Sequence, residues 1–223
     1  PSTASFYRSL DWELAGRVTK FTVPAAALAG LRGGGDAVRE PDLTEVAALR
    51  GRVDSAWSGP IIRPGWWWDW RQPSPTPNRV FRVGWREGNA LTGFVAYRHR
   101  DARDREWGFD VLVTEFCAAT RDALDGLARL LAGDGPLSPT ITFGHGALPN
   151  DTLLHLRLAE PDLDTTGHNT WMLRVLDPTA ALIASGWPVG LTAHLELAID
   201  GDGESPTQLV MEVADGVASV EPG

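Results

Sequence analysis

The chain has 223 residues, 43% apolar and 22% charged, a composition that fits a folded protein of one or two domains. Twenty basic residues against 29 acidic ones leave a formal charge of −9, which disfavours nucleic acid and anionic membrane as partners. One cysteine, Cys117, allows no internal disulfide and no multi-cysteine zinc site.

No run approaches the ~18 apolar residues that would cross a bilayer. Residues 1–9 show neither a basic start nor an apolar signal core, so a cytoplasmic protein is the expectation. A first strand is predicted over residues 16–23, closed by Pro24. Leu31 and Arg32 then lead into Gly33-Gly34-Gly35, which reads as a linker. Asp42 and Glu45 stand at capping-box spacing, and Val46, Leu49, Val53 and Trp57 follow at helical intervals. Trp66, Trp67, Trp68 and Trp70 come next; four tryptophans in five residues cannot share one helical face.

Residues 79–86 and 91–98 alternate and are joined by Glu87-Gly88-Asn89-Ala90, a hairpin signal. A third strand is predicted over 109–116, where Cys117 adjoins an apolar run and reads as a buried, inert thiol. Thr120 caps a helix with Ala123, Leu124, Leu127, Leu130 and Leu131 on one face, and Gly133 is expected to end it. A strand at 140–143 follows, then a short helix capped by Asp151. Residues 170–176 read as a strand that turns into a helix at Asp177-Pro178. The remainder, 191–199, 207–214 and 217–220, is strand-turn-strand with a tight turn at Asp215-Gly216. This order predicts an α+β fold: helices on a mixed, mostly antiparallel sheet, with the beginning of a second α+β unit.

Four stretches in this order resemble the enhanced-intracellular-survival family of actinobacterial GNAT acetyltransferases. They are Phe6-Tyr7 with Leu10-Asp11-Trp12; Arg63 with Trp68; the central runs 93–97, 113–116 and 123–131; and the junction 171–177 with Ala180, Ala181 and Leu182. The chain departs from the pattern at Leu10, Asp11 and Trp12, and Met172 takes the place of the junction tryptophan. The resemblance implies three segments. Residues 1–35 would end a catalytic GNAT domain, 36–176 would form a second GNAT-like domain without cofactor, and 177–223 would begin a truncated sterol-carrier-like domain. It also implies acetyl transfer from acetyl-CoA to a primary amine, on an aminoglycoside-like small molecule or a lysine side chain, by a homo-oligomer (hexameric in the family).

By the same resemblance Tyr7 takes the place of the general acid; from the residues alone it reads as an aromatic at a strand's edge. A GNAT phosphate loop needs glycines opening a helix, so that amides can cradle a pyrophosphate. The corresponding residues here, 118–124, contain no glycine and place Asp122 at the helix start. No acetyl-CoA is therefore expected to bind this chain alone. Trp66, Trp67, Trp68 and Asp69 are candidate substrate-binding residues, with interface packing as the plainer reading. The histidines are scattered without metal-ligand spacing. The competing function is a non-catalytic binding or assembly module, with a carrier-like lipid or partner-binding role.

Overall fold

In the computed structural model, which describes residues 3–56, 60–70 (backbone alone for 69–70), 79–102, 106–150, 152–160, 162–200 and 206–223, the alternating runs are strands. The chain begins with α1 (Ala4–Arg8), β1 (Glu13–Pro24), α2 (Ala25–Ala29), β2 (Asp36–Arg39), α3 (Leu43–Asp54) and α4 (Gly65–Trp70). It continues with β3 (Val80–Glu87), β4 (Ala90–Asp101), β5 (Phe109–Ala118), α5 (Arg121–Leu131) and β6 (Thr140–Phe143). It ends with β7 (Asp164–Leu173), α6 (Pro178–Ala184), β8 (Thr192–Ile199), β9 (Thr207–Ala214) and β10 (Val217–Pro222). Contacts divide the described residues into two compact units: Arg17–Asn169, and residues 3–16 with Thr170–Gly223.

Seven strands form one sheet in the order β2-β3-β4-β5-β6-β1-β7. The pairs β2–β3, β3–β4, β4–β5 and β6–β1 are antiparallel. Strands β5 and β6 run parallel, because α5 carries the chain back across the sheet between them. The architecture is thus α+β, with helices on a mixed, mostly antiparallel sheet, as expected. Residues 17–35, which the resemblance assigns to a preceding domain, contribute Phe21, Val23, Leu28 and Leu31 to the same core as β5, β6 and α5.

Both sheet faces are apolar, and each has its own core. One cluster joins α2 and α5 to the sheet through Leu28, Val95, Val113, Leu127, Ile141 and Phe143. The other lies under α3 and α4 and holds Val46, Leu49, Trp68, Leu91, Phe94 and Cys117. Burial pushes the Cys117 thiol up to about 11, so it stays protonated and inert.

Helix starts follow side-chain chemistry. Thr120 Oγ1 accepts from the Ala123 amide (3.1 Å), Asp42 from Thr44 (2.6 Å) and Asp177 from Ala180 (2.9 Å). Three local expectations change. Glu45 does not reach back to close a capping box; its carboxylate pairs with Arg86 of β3, a cation that binds it more strongly than an amide. Gly133 does not cap α5, because the chain tightens there into a 3-10 turn, Ala132–Asp134. Asp151 lies outside the described residues, and Thr152 Oγ1 accepts the Leu154 amide at the next turn (3.3 Å). Trp57 likewise lies outside them.

The largest difference is the triple glycine. A β-carbon on Gly33 would stand 2.0 Å from the Asp122 carbonyl oxygen and 2.7 Å from the Gly126 nitrogen of α5. Gly35 has φ of +127°, and the Trp85 indole donates to the Gly34 carbonyl at 3.1 Å. The stretch is a close backbone approach, which glycine alone permits, and not a linker.

In the other unit β8, β9 and β10 form an antiparallel meander. Asp215 and Gly216 have φ of 48° and 83°, the left-handed pair that a two-residue hairpin needs. Met211, Val213 and Ala218 pack with Leu182 of α6 and with Trp187, whose indole donates to the Leu182 carbonyl at 3.1 Å.

Glycine tolerance separates the two helices. A β-carbon on Gly126 would lie 2.2 Å from the Trp85 ring, whereas nothing lies within 4 Å of one on Gly51. Gly51→Ala should stabilise by about 0.4–1 kcal/mol through helix propensity and reduced unfolded-state entropy. Gly126→Ala should instead destabilise by about 1–3 kcal/mol through overpacking. Chemical denaturation of the two variants checks both signs.

Candidate functional site

Polar and charged side chains gather at two places on the sheet, one at the start of α5 and one on the opposite face. At the first, the chain leaves β5 with the Ala119 amide bonded to the Thr92 carbonyl at 2.8 Å. Thr120 then caps the helix, and its hydroxyl donates to the Glu87 carboxylate, which also accepts from Thr92 at 2.7 Å. These hydroxyls, Thr120 first, hold the Glu87 carboxyl below its ordinary value. Asp122 occupies the first turn, and Gly33 and Gly34 press against it, with a β-carbon on Gly34 only 3.2 Å from its carboxylate. The helix N-terminus therefore faces two carboxylates of its own chain, with its capping amide satisfied and a backbone segment against its flank.

One turn further on, Asp125 is 2% exposed and is gripped by Arg157 in a two-point pair, Nε at 2.9 Å and Nη2 at 2.7 Å. Arg157 sits in the 3-10 turn Leu153–Arg157, so the pair ties that turn to α5. The hydrogen bonds to Asp125 raise the Arg157 guanidinium above its ordinary value.

On the opposite face lies a cleft of about 430 Å³, walled by Leu43, Trp68 of α4, and Val80, Arg82, Phe94, Ala96 and Arg98 of β3 and β4. Its far end is Thr114 and Glu115 of β5 with Gly144 and His145 after β6. Strand geometry explains the lining. Phe94, Ala96 and Arg98 alternate on one face of β4. Ala96 pairs with Glu115 and Tyr97 with Val113, so Thr114 is the extra residue of a bulge. The last rung between β5 and β6 is the Gly144 amide on the Val113 carbonyl at 2.8 Å, and the cleft opens beyond it.

Charge in this region is layered. Beneath α3, Arg50 bonds Asp54 (2.9 Å), and Arg63 reaches both Asp54 (3.1 Å) and Glu115 (3.6 Å). Arg82 is 7% exposed, and burial pulls its guanidinium below the ordinary value against the opposing pull of Glu40, 3.9 Å away.

Tyr7 lies on α1, 44% exposed, with its ring edge-on to Trp12 at 6.1 Å. Of the tryptophan run, Trp68 is buried edge-on against Phe94 (6.4 Å), Trp67 lies under the Arg63 guanidinium (5.9 Å), and Trp66 is exposed. The side chain of Asp69 lies outside the described residues. Among the described residues, no three His, Cys, Asp or Glu side chains gather as a metal site, and no helix is long and apolar enough to cross a membrane. The arginines of the cleft escaped sequence reasoning. Their only signal was alternation with Phe94 and Ala96, which also describes a solvated strand.

Residues 59–175 match the family model described as Acetyltransferase (GNAT) domain. A GCN5-related N-acetyltransferase from Anabaena variabilis is similar in structure, with a TM-score of 0.86 at 18% identity over 100% of this chain and 57% of that one. A GCN5-related N-acetyltransferase from Kribbella flavida gives 0.79 at 24% identity over 100% and 54%. Eis1 from Mycobacterium abscessus gives 0.72 at 20% identity over 99% and 57%. The chain thus spans just over half the length of these structures. No curated protein matches it.

The Thr120–Glu87 contact has a pH signature. A carboxyl held below its ordinary 4.5 adds stability above that pH and loses it as pH falls through the lowered value. Thr120→Ala should cost about 1 kcal/mol at neutral pH through the lost cap. It should also move the Glu87 titration upward in carboxyl-detected NMR, whereas Thr120→Ser should preserve both.

Proposed function

The chain belongs to the acetyltransferase (GNAT) domain family, and on that premise we propose that it is the cofactor-free part of an acetyl-CoA-dependent N-acetyltransferase. The observation that carries the reading is the start of α5, where this fold would open a phosphate loop. Its amides and dipole could serve a pyrophosphate only if the backbone were bare and the surroundings free of negative charge. Instead there is no glycine from 118 to 124, Thr120 is committed to Ala123 and Glu87, Asp122 adds a carboxylate, and Gly33 lies against the Asp122 carbonyl. These residues do not fit the pyrophosphate of acetyl-CoA, and no step is assigned to the cofactor here.

In this reading the GNAT-like domain, expected at 36–176, begins at Arg17, since residues 17–35 share its core. It is kept for its framework, the residues before it are the end of a catalytic domain, and 177–223 begin a sterol-carrier-like unit. Tyr7 is the general acid of the whole enzyme, giving up its phenolic proton to the leaving group. The acceptor is a primary amine on an aminoglycoside-like molecule or a lysine side chain, and the acidic balance of the chain suits a cationic acceptor. Trp66, Trp67, Trp68 and Asp69 are assigned to the acceptor wall. The assembly is a cytoplasmic homo-oligomer.

The test is turnover by the complete gene product with acetyl-CoA and an amine acceptor, read as thiol release. Tyr7→Phe should lower kcat by the ~10²–10⁴-fold typical of general acid catalysis, and the 223-residue chain alone should give none. Unchanged turnover in the variant, or turnover by the chain alone, would contradict the assignment.

A further inference from the structure

We infer that the cleft between α4 and the β3–β4–β5 surface is a binding site for a small organic acid, an apolar or aromatic body carrying one carboxylate. The inference does not depend on the start of α5, since every residue involved lies on the opposite sheet face; it shares one residue, the buried Trp68, with the proposed acceptor wall.

The cavity, about 430 Å³, is within the range of small-molecule sites. It opens where the parallel pairing of β5 with β6 stops, just past the carboxyl end of β6 and beside the β5 bulge at Thr114. Leu43, Val80, Phe94, Ala96 and the ring of Trp68 make its walls apolar, which favours a ligand with a hydrophobic body.

Its polar groups do not balance. Among the described residues Glu115 is the one carboxylate lining the cleft, and its charge is met from behind by Arg63, which itself shares Asp54 with Arg50. Glu40 stands 3.9 Å from Arg82 but is not part of the lining. Arg98 has no such partner. Its Nε is buried without a hydrogen bond, and among the described residues no carboxylate lies within ion-pair range of its guanidinium. Arg82 is met by Glu40, whereas Arg98, half-buried and without a carboxylate among the described residues, is a standing demand for negative charge. Its planar fork suits a carboxylate, which it can meet in two-point geometry.

The same surroundings argue against other ligands. An amine would enter a cleft that already holds two guanidinium groups. A bare inorganic anion would use none of the apolar wall, and the nearest glycine amide, Gly144, is already bonded to Val113. Thr114 is also committed, its hydroxyl donating to the Ala96 carbonyl at 3.1 Å. What remains is a carboxylate on Arg98 with its apolar body against Trp68 and Phe94.

The experiment is a titration of this chain with phenylacetate and hexanoate, their neutral amides, and inorganic phosphate, followed by calorimetry and by ligand-observed NMR. At least one acid should bind saturably, and its amide should bind about tenfold or more weakly, as the loss of a charge-assisted contact implies. Arg98→Met, which keeps the packing stem, should weaken the acid by a similar factor and leave the amide unchanged. Three results overturn the inference: neither acid saturates, acid and amide bind alike, or phosphate displaces the acid at equal concentration. The acid–amide comparison needs no variant, so it decides the matter even if Arg98→Met does not fold.

Discussion

The side chain of Trp85 fixes how closely helix and edge strand can approach this sheet. Its ring lies where a β-carbon on Gly126 would be, its indole nitrogen holds the Gly34 carbonyl, and its Cβ crowds Gly93. A buried indole of this size fills the space that three glycines leave, and its one donor is satisfied. Bulk on the strand is matched by its absence on α5, β4 and the segment before β2. A β-carbon on Gly126 or Gly93 would run into the Trp85 side chain, at 2.2 Å and 3.1 Å.

That fit determines what the first turn of α5 can do. Once Gly33 and Gly34 are drawn against Asp122 by the Trp85 hydrogen bond, the helix start is no longer a bare cradle. Its neighbours are Glu87, locked by two threonine hydroxyls, and Asp122 itself. The fold keeps the strand-helix-strand crossover on which a phosphate site could be built, and fills that position with its own carboxylates. The opposite face is arranged the other way. There the ion pairs Arg50–Asp54 and Arg63–Glu115 neutralise one another beneath α3, while Arg82 and Arg98 remain at an apolar opening. One sheet thus carries negative charge at a helix end on one side and, among the described residues, one arginine without a carboxylate, Arg98, in a cleft on the other.

Much of the framework was legible because its signals are local. The caps at Thr120 and Asp177, the hairpin at Gly88 and the turn at Asp215-Gly216 each depend on residues within a few positions. The triple glycine was not legible, since glycine marks both free chain and tight approach, and only the position of Trp85 decides which. Glu45 was placed at a cap because its spacing fits one; Arg86, 41 residues away, competes for it. The junction 118–124 could be read as hostile to a phosphate from Asp122 and the lack of glycine, but Glu87 and Gly33 reach it only through the fold. The cleft was invisible for a similar reason. Arg82 and Arg98 sit on alternating strands, a pattern shared with any solvated face, and α4 converts that face into an interior.

The closure of the α5 N-terminus is the claim on which the functional reading turns, and backbone amides report on it directly. In an ¹H–¹⁵N correlation spectrum of the chain titrated with acetyl-CoA, the amides of residues 119–124 should keep their positions. Saturable displacement of those amides at micromolar acetyl-CoA would contradict it, placing the pyrophosphate where Thr120, Glu87 and Asp122 now meet.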